Sequence, residues 1–193
     1  MPDNSLISVG ADAQQFADVI ETLAGVRNGA PRAINAAINR TLTTGRSNLV
    51  KRVRQEIKIS ASDFRDAISL KKSSFSNLSG SIRLSRKRMP LSRFSPVQEP
   101  AGASVLVRMG AGRQVLKHTF LATMKSGHLG VFERIGAKRL PIRERYGPTI
   151  VGVVGNMPGL LAEETAKLDV VFAKNLSSQI DRLTAKQKPD ETE

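Results

Sequence analysis

His118 and His128 are the only side chains of this sequence suited to act as a general base near neutral pH. A nucleophilic triad also needs a carboxylate to orient the base. Neither histidine has one close by in sequence: His118 falls in a strand pattern and His128 beside a turn glycine, so both read as structural. Metal chemistry needs clustered His or carboxylate ligands, and the central segments hold almost none. The absence of Cys removes thiol catalysis, disulfides and Cys-based zinc sites, and fits a reducing compartment. Gly110-Ala111-Gly112-Arg113 is glycine-rich but lacks the Gly-Lys-Ser/Thr ending of a phosphate-cradling loop, so it reads as a β-turn. Glu163 and Glu164 read as the outer face of a helix, with Glu163 paired to Lys167. The expectation is a non-enzyme with no catalytic residue, metal or cofactor.

What the residues do offer is positive charge. The formal net charge is +13 and the isoelectric point about 10.8. Residues 51–94 carry twelve Lys/Arg against three acids, and residues 108–145 carry nine against two, whereas residues 1–50 are balanced. Such a field attracts nucleic acid or an acidic protein surface. The candidate contact residues are Arg83, Arg86, Lys87, Arg88, Arg93, Arg134, Lys138, Arg139, Arg143 and Arg145. Their neighbours are mostly Ser, Gly, Leu and Pro, without the interleaved aromatics that stack on single-stranded bases. No helix-turn-helix, zinc finger or RNP-type signature is present. Contact with nucleic acid would therefore run through phosphates and be blind to sequence. For any single cation, a solvated surface position is an adequate reading.

The elements that must position these cations can be read in outline. Leu6-Ile7-Ser8-Val9 suggests a short strand, and Asp12 an N-cap for a helix ending at Gly25. A second helix begins near Ala30-Pro31 and runs to about Ile57, with apolar steps at Ile34, Ile38, Leu42 and then Leu49, Val53, Ile57. Gly45 marks a bend between the two runs. Arg40, Thr43, Ser47, Lys51, Arg54 and Lys58 form its polar face. A short helix follows within Ser60–Ile68.

Ser79-Gly80 reads as a hairpin turn leading into a strand at 81–85. Residues 85–103, with three prolines and four cations, read as an exposed loop that folds on a partner or stays mobile. A meander is expected next: strands at 104–108, 114–117 and around Phe120, a turn at Ser126-Gly127, a return through Val131-Phe132, and punctuation at Gly136 and Pro141. A last strand is read at Thr149–Val154. A closing helix starts from an Asn156 cap with a stripe of Leu161, Leu168, Phe172, Leu176, Ile180 and Leu183, and the polar tail 186–193 frays. The sum is a single α+β domain: an antiparallel sheet over about residues 69–154, packed with a long N-terminal and a long C-terminal helix. No signal peptide and no apolar run of membrane-spanning length is read, so a soluble protein made in a cytoplasm, without membrane contact, is expected.

Ala36-Ala37-Ile38-Asn39-Arg40 on the long helix resembles the Ala-x-Asn-Arg signature of the phage minor tail protein Z family. The central segment is similar to that family too: Phe120, Ser126-Gly127, Val131-Phe132-Glu133-Arg134, Gly136, Lys138-Arg139 and Pro141-Ile142. The serine-rich insert, the loop at 85–103 and the acidic tail depart from it. The resemblance implies a structural virion protein, a tail-completion factor at the head-proximal end of a long non-contractile tail. It implies a homo-oligomeric ring, six-fold, around the DNA channel, contacting tail terminator, tail tube and connector. It would assemble in the host cytoplasm and then reside in the virion tail. Two other readings stay open: a sequence-independent DNA-binding protein, and a tail-assembly chaperone absent from the finished particle.

Overall fold

The computed structural model describes residues 5–186. In chain order its elements are strand β1 (Ser5–Gly10), helices α1 (Ala13–Thr22), α2 (Gly29–Glu56) and α3 (Ala61–Asp66), and strands β2 (Ile68–Lys71) and β3 (Ser79–Leu84). Strands β4 (Arg88–Pro90), β5 (Val97–Glu99), β6 (Gly102–Val105), β7 (Gln114–Lys117), β8 (Thr119–Thr123), β9 (Leu129–Arg134), β10 (Ile142–Glu144) and β11 (Tyr146–Thr149) follow. Helices α4 (Ile150–Gly155) and α5 (Leu160–Ala185) close the chain. The fold is mixed α+β with a long helix toward each end, as expected, but its strands form four small antiparallel sheets instead of one. Within the span read as one domain, the chain forms two compact units.

The first unit comprises Met1–Leu49, Ile68–Leu84 and Pro158–Glu193. Its α1 is started by a capping box: Asp12 Oδ1 accepts the Gln15 N–H at 2.7 Å, and Gln15 Oε1 accepts the Asp12 N–H at 3.2 Å. In α2, proline in the first turn lacks only a donor that would have had no partner there, and Ile34, Ala37, Ile38 and Leu42 lie fully buried. The sheet runs β1-β3-β2, with Ile7 opposite Ile82 and Ile82 opposite Leu70.

Gly45 does not break α2. It is a point of close approach, where an added Cβ would lie 2.8 Å from both Ile82 Cδ1 and Leu168 Cδ1. Gly80 is likewise no turn residue: it lies inside β3, where a Cβ would come within 2.6 Å of Leu42. The reversal falls earlier, where Ser74 and Asn77 form an isolated bridge.

α5 starts at Leu160 behind a left-handed Gly159, while Asn156 closes α4. Its buried positions are Leu160, Glu164, Leu168, Phe172, Leu176 and Gln179, so the stripe is shifted from the expected one and includes two polar residues. Glu164 is buried, not on the outer face, and its Oε1 lies 2.8 Å from Lys167 Nζ. Most of the polar tail read at 186–193 lies outside the described residues.

The second unit comprises Val50–Ala67 and Ser85–Met157. Ser60 Oγ caps α3 by accepting the Asp63 N–H at 3.0 Å. Residues 85–103 form β4, a 3-10 turn at Leu91–Arg93 and β5, and bury Met89, Leu91 and Phe94. Three sheets follow: β5-β6-β7, β10-β9-β8 and β11-β4. The strand expected at 104–108 runs instead over Gly102–Val105. The strand expected at 149–154 is helix α4. Thr149 Oγ1 accepts the Gly152 N–H at 3.1 Å, and the helical spacing buries Ile150, Val153 and Val154 together. His118 sits not in a strand but at the junction of β7 and β8, with φ at 61°.

Candidate interface of the basic unit

The partition into units concentrates the charge. The second unit holds eighteen Lys/Arg against six Asp/Glu, and the first twelve against eleven, so +12 of the +13 belongs to the second. Within it, β9 carries Arg134 and the returning strand β10 carries Arg143, with Lys138 and Arg139 in the loop between them and Arg145 just after. Phe120 faces Phe132 across the register, their ring centroids 6.1 Å apart. Gly127 closes the hairpin with φ at 80°, donating its N–H to Met124 O at 2.9 Å. Gly136 has neither a positive φ nor a close neighbour. The Leu140–Pro141 peptide is cis, and Pro141 O accepts the Ile135 N–H at 3.2 Å, which closes the loop 135–141.

The ten predicted cations separate into distinct environments. Arg83 lies half-buried on β3 in the first unit. Arg93 is ion-paired with Asp63. Arg143 and Arg145 converge on one carboxylate: Arg143 Nε donates to Glu133 Oε1 at 2.9 Å, and Arg145 Nη1 lies 3.2 Å from Glu133 Oε2. The Arg143 hydrogen bond is the main reason the Glu133 carboxyl titrates below the usual glutamate range, with Arg145 adding to it. These three arginines are already engaged by carboxylates.

Arg134 places its guanidinium 4.9 Å from the Phe120 ring centroid, a cation–π contact that orients the charge without neutralising it. Lys138 and Arg139, at the tip of the closed loop, are exposed and make no side-chain hydrogen bond or ion pair among the described residues. Arg86 and Lys87 lie exposed between β3 and β4, and Arg88 opens β4 opposite Thr149.

Two features escaped the sequence. His128 does have a carboxylate partner: its Nε2 lies 2.8 Å from Glu144 Oε1, while the other Glu144 oxygen accepts the Tyr146 hydroxyl at 2.8 Å. That hydrogen bond is the main cause of the raised Tyr146 pKa. No nucleophile belongs to this group, and among the described residues no cluster of His, Asp or Glu is arranged to hold a metal. The second is a hollow of about 410 Å³ lined by Arg88 and Arg108 at its mouth and by Ile57, Val107, Val153 and Met157 within. Arg108 stood out in sequence only as the end of a strand. What sets it beside Arg88 is the pairing of β4 with β11 and the helical course of α4, neither of which local pattern reveals.

The family model for prophage minor tail protein Z (GPZ) matches residues 16–185, which takes in nearly all of both units. The chain belongs to this family. It is thus a structural protein of the phage tail, whose contacts are with other tail components. No curated protein and no solved structure matches it. Within the matched span, the run Ala37-Ile38-Asn39-Arg40 has a clear division in α2. Ala37 and Ile38 are fully buried, Asn39 is bonded to Ser73, and Arg40 is exposed. Among the described residues no helix is long and apolar enough to cross a membrane.

Proposed function

We propose that this minor tail protein is a tail-completion component at the head-proximal end of the tail. In this reading it is needed for tail maturation and for joining to the head, and it forms a six-fold homo-oligomeric ring around the DNA channel. It assembles in the host cytoplasm and stays in the virion beside the tail terminator, tail tube and connector. The observation that carries the reading is the charge partition: a near-neutral unit dominated by two long helices and a unit of +12 belong to one chain of a tail family. A ring subunit needs a surface for its neighbours and a surface tolerant of DNA phosphates. Arg134, Lys138 and Arg139, together with Lys87, supply the second without base-reading side chains. Arg143 and Arg145 contribute through Glu133 and carry less free charge.

The same charge also favours a second reading, a sequence-independent DNA-binding protein acting outside the particle. Quantitative mass spectrometry of purified virions separates the two. Six copies per particle, with labelled protein at the head-proximal tail end in electron micrographs, is the expected result. Absence from the mature particle would overturn the proposal in favour of the DNA-binding or chaperone reading.

A further inference from the structure

We infer that the hollow between Arg88 and Arg108 is a docking site for a peptide segment that presents a carboxylate beside an aliphatic side chain. The inference goes beyond the proposed ring and does not depend on it. Three observations carry it. The hollow has a volume of about 410 Å³, within the range of ligand-sized pockets. Its lining is mixed: Ile57 and Val153 are buried and Val107 and Met157 half-buried, beside Thr149 and Asn156, so an occupant that fills it must bring apolar surface as well as a polar group. Its mouth carries two exposed arginines, neither of which makes a side-chain hydrogen bond or ion pair among the described residues. The carboxylate at the rim, Glu56, is paired instead with Arg52 at 3.5 Å.

A phosphate backbone could satisfy the arginines but has no group to fill the interior, whereas a Leu or Ile next to an acidic residue satisfies both. The planar guanidinium fork also matches a carboxylate bidentately. The two arginines together with the apolar part of the lining thus select an acidic protein segment with an aliphatic side chain over nucleic acid at this place. The DNA-facing cations at Arg134, Lys138 and Arg139 lie on other elements of the unit, on and after β9.

The test is methyl NMR of the full chain titrated with N-acetyl-leucine, which carries one carboxylate and one isobutyl group. Saturable shifts of the Ile57, Val107, Val153 and Met157 methyls are expected. Inorganic phosphate (charge alone) and N-acetyl-leucinamide (apolar group alone) should leave these methyls in place. Arg88→Ala and Arg108→Ala change exposed side chains and should keep the parent spectrum, yet each should weaken N-acetyl-leucine binding by about tenfold, as expected for loss of one charge-assisted contact. No methyl shift at saturating N-acetyl-leucine would overturn the inference. So would equal shifts with phosphate or with a short DNA duplex, or unchanged affinity in both variants.

Discussion

Asn39 answers both backbone groups of Ser73: its Oδ1 accepts the Ser73 N–H at 3.0 Å, and its Nδ2 donates to the Ser73 carbonyl at 3.3 Å. Asn35 joins them by donating nothing to Ser73 but accepting from its hydroxyl and from Asn39 Nδ2. A side-chain amide here does what a neighbouring strand would do. It satisfies the chain just beyond β2, before the turn to β3, from the surface of α2. Ser73 is buried, so removing the amide leaves two backbone groups without partners or water. Asn39→Ala should cost about 1–3 kcal/mol, measured as a fall in the denaturation midpoint. Arg40→Ala, at the exposed neighbour, should stay within about 0.5 kcal/mol of the parent.

Gly45 tests packing against propensity. Alanine in an exposed helix interior stabilises by about 0.8–1 kcal/mol relative to glycine. Here the new methyl would meet Ile82 and Leu168 at 2.8 Å, so overpacking of about 1–3 kcal/mol should reverse the sign. Gly45→Ala is expected to lower thermal stability; a rise in midpoint would mean that both side chains move aside freely.

The hairpin tip depends on backbone conformation and not on space. No atom lies within 4 Å of a Cβ added at Gly127, yet its φ is 80°. A β-branched residue is disfavoured there, so Gly127→Val should cost about 1–3 kcal/mol, and Gly127→Asn clearly less. Equal stability of the two variants would contradict this assignment.

Glu133 supplies a pH dependence whose sign follows from its lowered pKa. It ionises at lower pH in the folded chain than in the unfolded one. Its stabilising contribution is therefore complete above the usual glutamate range and is lost as pH falls through the folded value. A carboxyl titration by NMR should give a midpoint below that of an ordinary glutamate, and Arg143→Ala should raise it. Glu133→Gln should free Arg143 and Arg145, tightening DNA binding and steepening its dependence on log salt by about one unit.

Lys138 and Arg139 offer the reverse experiment. The double alanine variant should fold as the parent does, since both side chains are exposed and without partners. Its DNA affinity should fall uniformly across sequences, with the salt slope shallower by about two units. An unchanged slope would remove this loop from the DNA-facing surface.

The long helix α2, the Asp12 cap and the β8–β9 hairpin were legible because each is specified by nearby residues. Proline at an N-terminus, Asp12 with Gln15, and apolar alternation around Ser126-Gly127 act within a few positions. The helix at Ile150–Gly155 was not legible. Ile-Val-Gly-Val-Val has the branched side chains of a strand, and only burial of Ile150, Val153 and Val154 on one side makes the helix win. Glu164 hid the α5 stripe for a related reason, since a buried carboxylate breaks the apolar pattern that would reveal it.

The sequence by itself determined the chemistry available to this protein: abundant cations, no thiol, only two histidines and a family resemblance. Local rules also settled most of the helices and one hairpin. Which cations are free was decided only by the tertiary structure. Glu133 reaches Arg143 and Arg145 because β9 and β10 pair, and Asp63 reaches Arg93 from a separate helix. The Arg88–Arg108 hollow likewise exists only once β4 meets β11. Ion pairing and cavity formation depend on distances of a few ångströms between residues far apart in sequence, and only the folded chain sets those distances.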